Sequence, residues 1–336
     1  MNVLKYTVVA LLLSVCCTIP HTLTRLTEPV STESLSPHSV ETEEHFAWKG
    51  EESATLSDVS DGRSALQEED VTCGVPIVIN KRVEFFLDYF QNEARQSFSR
   101  YLERSTRYAG PMRDILKAHG LPGDLVYLAL IESGFYPFAY SRARAMGPWQ
   151  FMAATAKVYG LKRTHWIDER RDPVKSTEAA ARYLKDLYAI FNDWYLVLAA
   201  YNAGQQRVSK AISESESRDF WALDLPSQTE EYVPRFVAAV ILAENPERYG
   251  FDVEYEDAVD HEVVFVAEKT DLKTAAACMG CEVELLRELN PELRHLVTPP
   301  DEPGYPLRIP KGTRECFHLC WEETVGGSGC RCRPQG

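Results

Sequence analysis

No Walker-type phosphate loop, dinucleotide-binding glycine fingerprint or His-Glu-x-x-His zinc motif occurs in the 336 residues, so no cofactor and no metal site is expected. Positive charge is scarce, with 36 Lys and Arg against 50 Asp and Glu, a net charge of −14. That balance speaks against a general nucleic-acid binder. Alternating apolar and polar residues are almost absent before residue 250, which excludes a sheet as the main architecture. Long apolar runs are missing too: the stretch from Tyr6 to Val15 is too short to span a membrane as a mature helix.

What the chain does contain divides it into five parts. "MNVLKYTVVALLLSVCCTIP", residues 1–20, places one lysine before an apolar stretch and then small residues and a proline, the layout of a signal peptide. Export, with a periplasmic location, is therefore expected. Val15 and Cys16, which precede Cys16 and Cys17, suit a bacterial lipobox poorly, so both a lipid-anchored and a free exported form stay open. Residues 21–70 hold twelve acidic and three basic side chains, a net of −9 out of the chain's −14, and show no sustained hydrophobic period. Such a segment buries too little apolar surface to offset its ordering entropy and reads as a disordered tether.

From residue 71 to 250 the texture is helical. Val83, Phe86, Leu87, Phe90, Phe98, Tyr101 and Leu102 fall at amphipathic spacing and predict one helix through this region. A second, short helix is expected from Pro111 to Gly120. "LPGDLVYLALIESG" then reads as a helix capped by Asp124, apolar from Leu125 to Ile131 and stopped at Ser133-Gly134. Asp172 with Pro173, Asp193, and the apolar run interrupted by Pro234 mark three more helices. After Gly250, "HEVVFVAE" and "GYPLRIPKG" read as strands enclosing two short helices, an appended module over residues 255–313. The expected fold class is mainly α, with a small α+β attachment.

One residue is out of character. Glu132 ends a run that is otherwise apolar throughout, at the C-terminal end of a helix, where desolvation and the negative end of the helix dipole both disfavour a carboxylate anion. A glutamate held protonated near neutral pH is what a general acid for glycosidic cleavage requires. The plainer reading is an exposed helix-end glutamate paired with Arg142 or Arg144. The segment that follows, "SGFYPFAYSRARAMGPWQFM", is too rich in Gly and Pro for a simple helix, and supplies Ser141, Gln150, Trp149 and other rings, the inventory of a sugar-binding loop.

"ALIESGF", "SRARAMGPWQFM", "DERRDPVKSTEAAARYLKDLY", "LAAYNAG" and "LPSQTEEYVPRF", in that order, resemble the lytic transglycosylase domain of glycoside hydrolase family 23, most like its membrane-bound D-type members. The resemblance runs from about Pro76 to Gly250 and implies a lysozyme-like fold that acts on peptidoglycan glycan strands. It places the catalytic acid/base on Glu132 with Ser133 completing the Glu-Ser pair, and sugar-lining positions on Ser141, Gln150 and Met152. Tyr201 and Asn202 fall on the motif packed beside the catalytic glutamate, where the tyrosine is expected to help hold it. The sequence departs from the pattern at Pro148-Trp149 in place of Leu-Met, at Arg144 in place of a frequent Gly, and at Gln228 in place of Glu.

Glycosidases ordinarily flank the bond with two carboxylates, and no second one is obvious here. Asp168, Glu169 and Asp172 are candidates, but the resemblance reads their region as structural. In a lytic transglycosylase the C6 hydroxyl of the muramic sugar is the nucleophile, so one glutamate serves as acid and then as base to leave a 1,6-anhydromuramic end. The rival readings are a hydrolytic muramidase on the same fold and a non-catalytic wall-binding protein.

The appended module is similar to a degenerate LysM domain, a fold that grips peptidoglycan glycans. In the tail, residues 314–336, Cys316, Cys320, Cys330 and Cys332 read as disulfides of an exported protein, with three connectivities open. Cys278 and Cys281 read as a pair or as two buried thiols, and Cys73 has no evident partner. Oligomeric state is not indicated.

Overall fold

The computed structural model describes residues 74–256 and 260–326. The expected leader, the acidic tether, Cys73, Cys330 and Cys332 lie outside the described residues. Helix α1 (Lys81–Gln91) starts where the Asn80 side chain accepts from the backbone N–H groups of Arg82 and Val83, and it buries Val83, Phe86 and Phe90. The single helix expected here is broken. Asn92 turns its side-chain amide back onto the Asp88 carbonyl and carboxylate, at 3.0 and 2.9 Å, and such local bonds compete with helix propagation. Helix α2 (Arg95–Ala118) follows, and it runs straight through Pro111. An interior proline costs roughly 3 kcal/mol. Phe98, Leu102, Met112 and Leu116 lie buried on both sides of it, and that shared buried face outweighs the lost hydrogen bond.

A 3-10 turn over Gly123–Val126 leads into α3 (Tyr127–Ser133), whose first five residues are all buried. Asp124 is not the cap the sequence suggested. It lies inside the 3-10 turn, and its carboxylate accepts from the Gly74 N–H at 3.2 Å. The helix stops as expected: Gly134 takes φ +57°, the Phe135 N–H returns to the Ala129 carbonyl, and a Cβ at Gly134 would fall 2.2 Å from the Tyr101 ring.

Helix α4 (Ala153–Val158) comes after an irregular loop. Helix α5 (Pro173–Phe191) is capped by Asp172, which accepts from the Val174 and Lys175 N–H groups, both at 2.9 Å. Asp193 caps α6 (Trp194–Ala203), which ends at Gly204, and α7 (Gln205–Ser215) had no counterpart in the sequence reading. Helix α8 (Ser227–Glu244) contains Pro234 and packs against α1, α3 and α6. Helix α3 therefore sits inside the bundle, which is why its sequence is apolar on every side.

The C-terminal part pairs β1 (His261–Val266) antiparallel with β2 (Tyr305–Pro310), from His261 opposite Pro310 to Val266 opposite Tyr305. Between the strands lie α9 (Leu272–Met279) and α10 (Val283–Leu289), as the pattern predicted. The tail departs from expectation. It begins as a further helix, α11 (Arg314–Gly326), and Cys320 on it is bonded to Cys278 on α9 rather than to a tail cysteine. The packing of α11 on α9 brings those two residues together, and Cys281 and Cys316 carry free thiols.

This module has its own core, of Val264, Val266, Leu272, Leu286, Leu307 and Phe317 among others, which Ile167 of the helical domain enters with Trp166 packed against it. Ile167 bridges to Leu293, the Asp168 N–H donates to the Glu292 carbonyl at 2.8 Å, and the Arg294 N–H donates to the Trp166 carbonyl at 2.9 Å. Arg308 on β2 pairs with Glu292 and with Asp172, the cap of α5. Among the described residues, no helix is long and apolar enough to cross a membrane.

Candidate active site around Glu132

Glu132 is the penultimate residue of α3 and keeps partial exposure. Its Oε1 accepts a 2.6 Å hydrogen bond from the Tyr232 hydroxyl, carried on α8. Burial raises the carboxyl to about 7, against the opposing pull of that hydrogen bond and of the nearby Arg235 guanidinium. Arg235 is held in place by Glu231, at 3.5 Å, and by the face of Phe86, 5.2 Å from the ring centroid. Arg142 and Arg144 are exposed and form no ion pair with Glu132, so the plainer surface reading of this glutamate does not hold.

The loop after α3 is folded by short-range bonds. Tyr140 bridges to Met146 and Met146 to Phe151, and the Gly147 N–H donates to the Ala139 carbonyl at 2.9 Å. Arg170 clamps this loop from beneath. Buried and doubly bonded to Asp168, at 2.9 and 2.7 Å, it donates from Nη1 to the carbonyls of Arg144 and Phe151. Gly147 is tied to the same contact, since a Cβ there would fall 1.8 Å from the Arg170 carbonyl oxygen.

The residues singled out from the sequence divide by what they touch. Ser133 donates to the Pro148 carbonyl at 2.8 Å and fastens the end of α3 to the loop. Ser141 accepts from the Ala145 N–H at 3.0 Å within a turn, and Gln150, at φ +47°, donates from its side chain to the Ala139 and Gly147 carbonyls. Met152 stands out at 46% exposure, and Tyr140, earlier in the same loop, at 54%. Asn202 accepts from the Thr229 hydroxyl at 3.0 Å, which joins α6 to α8.

Two expectations need correction. Trp149 is no sugar platform: it is fully buried, and its indole N–H donates to Thr177 at 2.8 Å. Tyr201 does not hold the glutamate, because its hydroxyl donates to the Trp149 carbonyl at 2.7 Å. Tyr232 takes that place, and the sequence reading passed over it although it lies in the quoted "LPSQTEEYVPRF". Burial and the neighbouring Glu132 push the hydroxyls of both tyrosines upward, so each remains a donor.

The other carboxylates of the region are engaged. Asp168 pairs with Arg170, Glu169 with Lys175 at 2.6 Å and with the Lys162 N–H, and Asp172 with Arg308 and the first turn of α5. Gln228 is exposed at the start of α8. Among the described residues, no three His, Cys, Asp or Glu side chains are grouped so as to hold a metal ion.

Comparison with known proteins matches residues 114–223 to the family described as "Transglycosylase SLT domain" and residues 261–319 to "Lytic transglycosylase MltD, LysM-like domain". The chain is 36% identical over 202 residues to the membrane-bound lytic murein transglycosylase D of Escherichia coli K12, an alignment that covers 58% of this chain and 44% of that protein. It is 36% identical over 118 residues to the peptidoglycan transglycosylase gp16 of Escherichia phage T7, covering 34% of this chain and 9% of gp16. The chain thus spans less than half the length of these relatives. Among solved structures, lytic transglycosylase Slt of Pseudomonas aeruginosa aligns at a TM-score of 0.35 and 22% identity, over 44% of this chain and 26% of that one.

Proposed function

The chain carries a transglycosylase SLT domain followed by an MltD-type LysM-like domain, and from that premise we propose that it is an exported peptidoglycan lytic transglycosylase with Glu132 as its acid/base. The observation that carries this reading is a half-buried carboxyl poised at about 7 and bonded to Tyr232, in a region whose other carboxylates are held in ion pairs. The catalytic part is assigned to residues 71–250 and the glycan-gripping part to 255–313.

Near neutral pH a large fraction of the molecules carries a proton on Glu132. That proton passes to the oxygen of the β-1,4 bond between N-acetylmuramic acid and N-acetylglucosamine, and the bond to C1 of the muramic sugar breaks. The carboxylate left behind then accepts the proton of the C6 hydroxyl of the same sugar as its oxygen closes on C1. The product ends in 1,6-anhydromuramic acid and no water is consumed. Tyr232 occupies Oε1, which leaves Oε2 as the atom that exchanges protons in both halves of the reaction. Ser141, Gln150 and Met152 line the sugar path in this reading, while Ser133 and Tyr201 hold the backbone around it and Asn202 ties α6 to α8. Membrane attachment through a lipidated cysteine fits the membrane-bound relative.

Mass spectrometry of the soluble products released from purified peptidoglycan tests the proposal. Anhydromuramic ends, absent from a Glu132→Gln digest, are the expected result. Reducing muramic ends would make the enzyme a hydrolase, and products unaffected by Glu132→Gln would remove Glu132 from the chemistry.

A further inference from the structure

The ring of Phe138, in the loop six residues beyond Glu132, carries two guanidinium groups. Arg171 lies 5.8 Å from its centroid and Arg287, from α10 of the C-terminal module, lies 5.0 Å from it. Arg294 stands close by, tethered through its Nη1 to the Thr164 carbonyl at 2.6 Å. The cations of this group are not neutralised by the protein. Among the described residues, Arg171, Arg287 and Arg294 form no ion pair; Asp168 is taken by Arg170 and Arg163, and Glu288 by Arg107. The Arg171 Nε is buried with no hydrogen-bond partner. Burial, and repulsion from Arg294, Arg287 and Arg170, push the Arg171 guanidinium below its ordinary value, although Asp168 draws it the other way. Concentrating like charges with a buried, unmatched donor is unfavourable by itself. An incoming anion would relieve it.

We propose that Arg171, Arg287 and Arg294, gathered around Phe138 at the seam between the helical domain and the C-terminal module, form a subsite for the carboxylates of the peptide stems that peptidoglycan carries. The inference rests on the peptidoglycan reading of the Glu132 site and specifies which part of that substrate is recognised outside the glycan. A guanidinium stacked on an aromatic face keeps its edge N–H groups available, and these match a carboxylate two by two. The spacing suits the substrate. Six residues of chain span at most about 20 Å, and an extended stem of a few residues, attached to the muramic sugar at the cleavage point, reaches on the order of 15 Å. Because Arg287 and Arg294 come from the C-terminal module, docking of that module completes the subsite.

The test uses the full chain carrying Glu132→Gln, so that ligands are bound without turnover, and titrates it with soluble glycan strands that either carry their peptide stems or have been stripped of them by an amidase. Peptide-bearing strands are expected to bind about tenfold more tightly, the difference shrinking as salt is raised, as for contacts between exposed charges. Adding Arg287→Gln, or separately Arg171→Gln, should abolish the difference. Arg287 is exposed, so its variant carries the test even if Arg171→Gln fails to fold. A preference retained in the Arg287→Gln protein, or an equal loss on both strand types, would overturn the subsite and leave these arginines as braces for the loop. Binding of both strand types with no preference in the parent would overturn the subsite alone, and binding of neither would overturn the peptidoglycan reading as well. Arginine-dependent binding to phosphatidylglycerol vesicles, with no discrimination between strands, would assign the cluster to lipid phosphates and refute the proposal.

Discussion

Tyr232 and Glu132, one hundred residues apart in the chain, meet in a 2.6 Å hydrogen bond from the phenol to the carboxylate. The bond joins α3, which delivers the acid, to α8, which also carries Arg235. It works against burial: the bond and Arg235 favour the anion, whereas the surrounding apolar packing favours the acid. A carboxyl near 7 is the outcome of that opposition, and a group that must give a proton and then take one back is best placed there.

Replacing Tyr232 with Phe removes a donor that favours the charged form. The carboxyl of Glu132 should rise further, and because the reaction begins from protonated Glu132, the alkaline limb of the kcat/KM profile should move up by about one pH unit. The rate constant should drop about tenfold as the carboxyl loses its fixed orientation. An alkaline limb that stays in place would separate Tyr232 from the titration of Glu132.

The same shift has a signature in stability. Between its unfolded value of 4.5 and its folded value of about 7, Glu132 is protonated in the folded state and ionised in the unfolded one. Stability therefore falls as pH rises through that window, by roughly 3 kcal/mol in all, and the cost is fully present above pH 7. Glu132→Gln does not titrate. Its stability advantage over the native sequence should widen from pH 5 to pH 8 in denaturant unfolding, and an unchanged gap would contradict the raised carboxyl.

Tyr201→Phe is expected to behave differently. Its hydroxyl serves the Trp149 carbonyl, so the variant leaves a buried acceptor unmatched and should lose about 1–2 kcal/mol of stability. Activity should fall through looser placement of the loop, with the alkaline limb shifted less than in Tyr232→Phe. Melting curves and pH profiles of the two variants, measured side by side, distinguish holding the loop from holding the acid.

Arg308 joins the two parts of the protein through Asp172 and Glu292, and Glu292 also accepts from Tyr305 at 2.8 Å. Burial and the neighbouring Asp172 already push Glu292 upward, and Arg308 is what draws it back. Arg308→Ala would leave two buried carboxylates facing each other, at a cost on the order of 3–5 kcal/mol near pH 8. The deficit should shrink toward pH 5, where one of the two can protonate. Hydrogen exchange at β2, compared at the two pH values, reads this out.

Much of the architecture was legible because local chemistry and tertiary packing agree. Asp172-Pro173, Asp193 and Gly134 start or stop helices for reasons contained in a few neighbouring residues. The reading failed where a distant partner outweighs local preference. Pro111 is carried inside α2 by the buried face around it, Asp124 is drawn from a capping role to Gly74, and Cys320 finds Cys278 across 42 residues.

The candidate site divides along the same line. Sequence alone determined that a carboxylate ends an apolar helix and that a turn-rich loop follows it, because both are properties of consecutive residues. Which groups surround that carboxylate was decided only by the packing of α3 and α6 against α8. That packing sets Tyr232 on Glu132, sends Tyr201 to Trp149 and buries Trp149 in the core, while Asp168 and Glu169 find cations close by in the chain and Asp172 meets Arg308 from the C-terminal module. Burial and the approach of side chains far apart in the chain set the proton affinity of a carboxyl, and neither can be read from spacing along the chain.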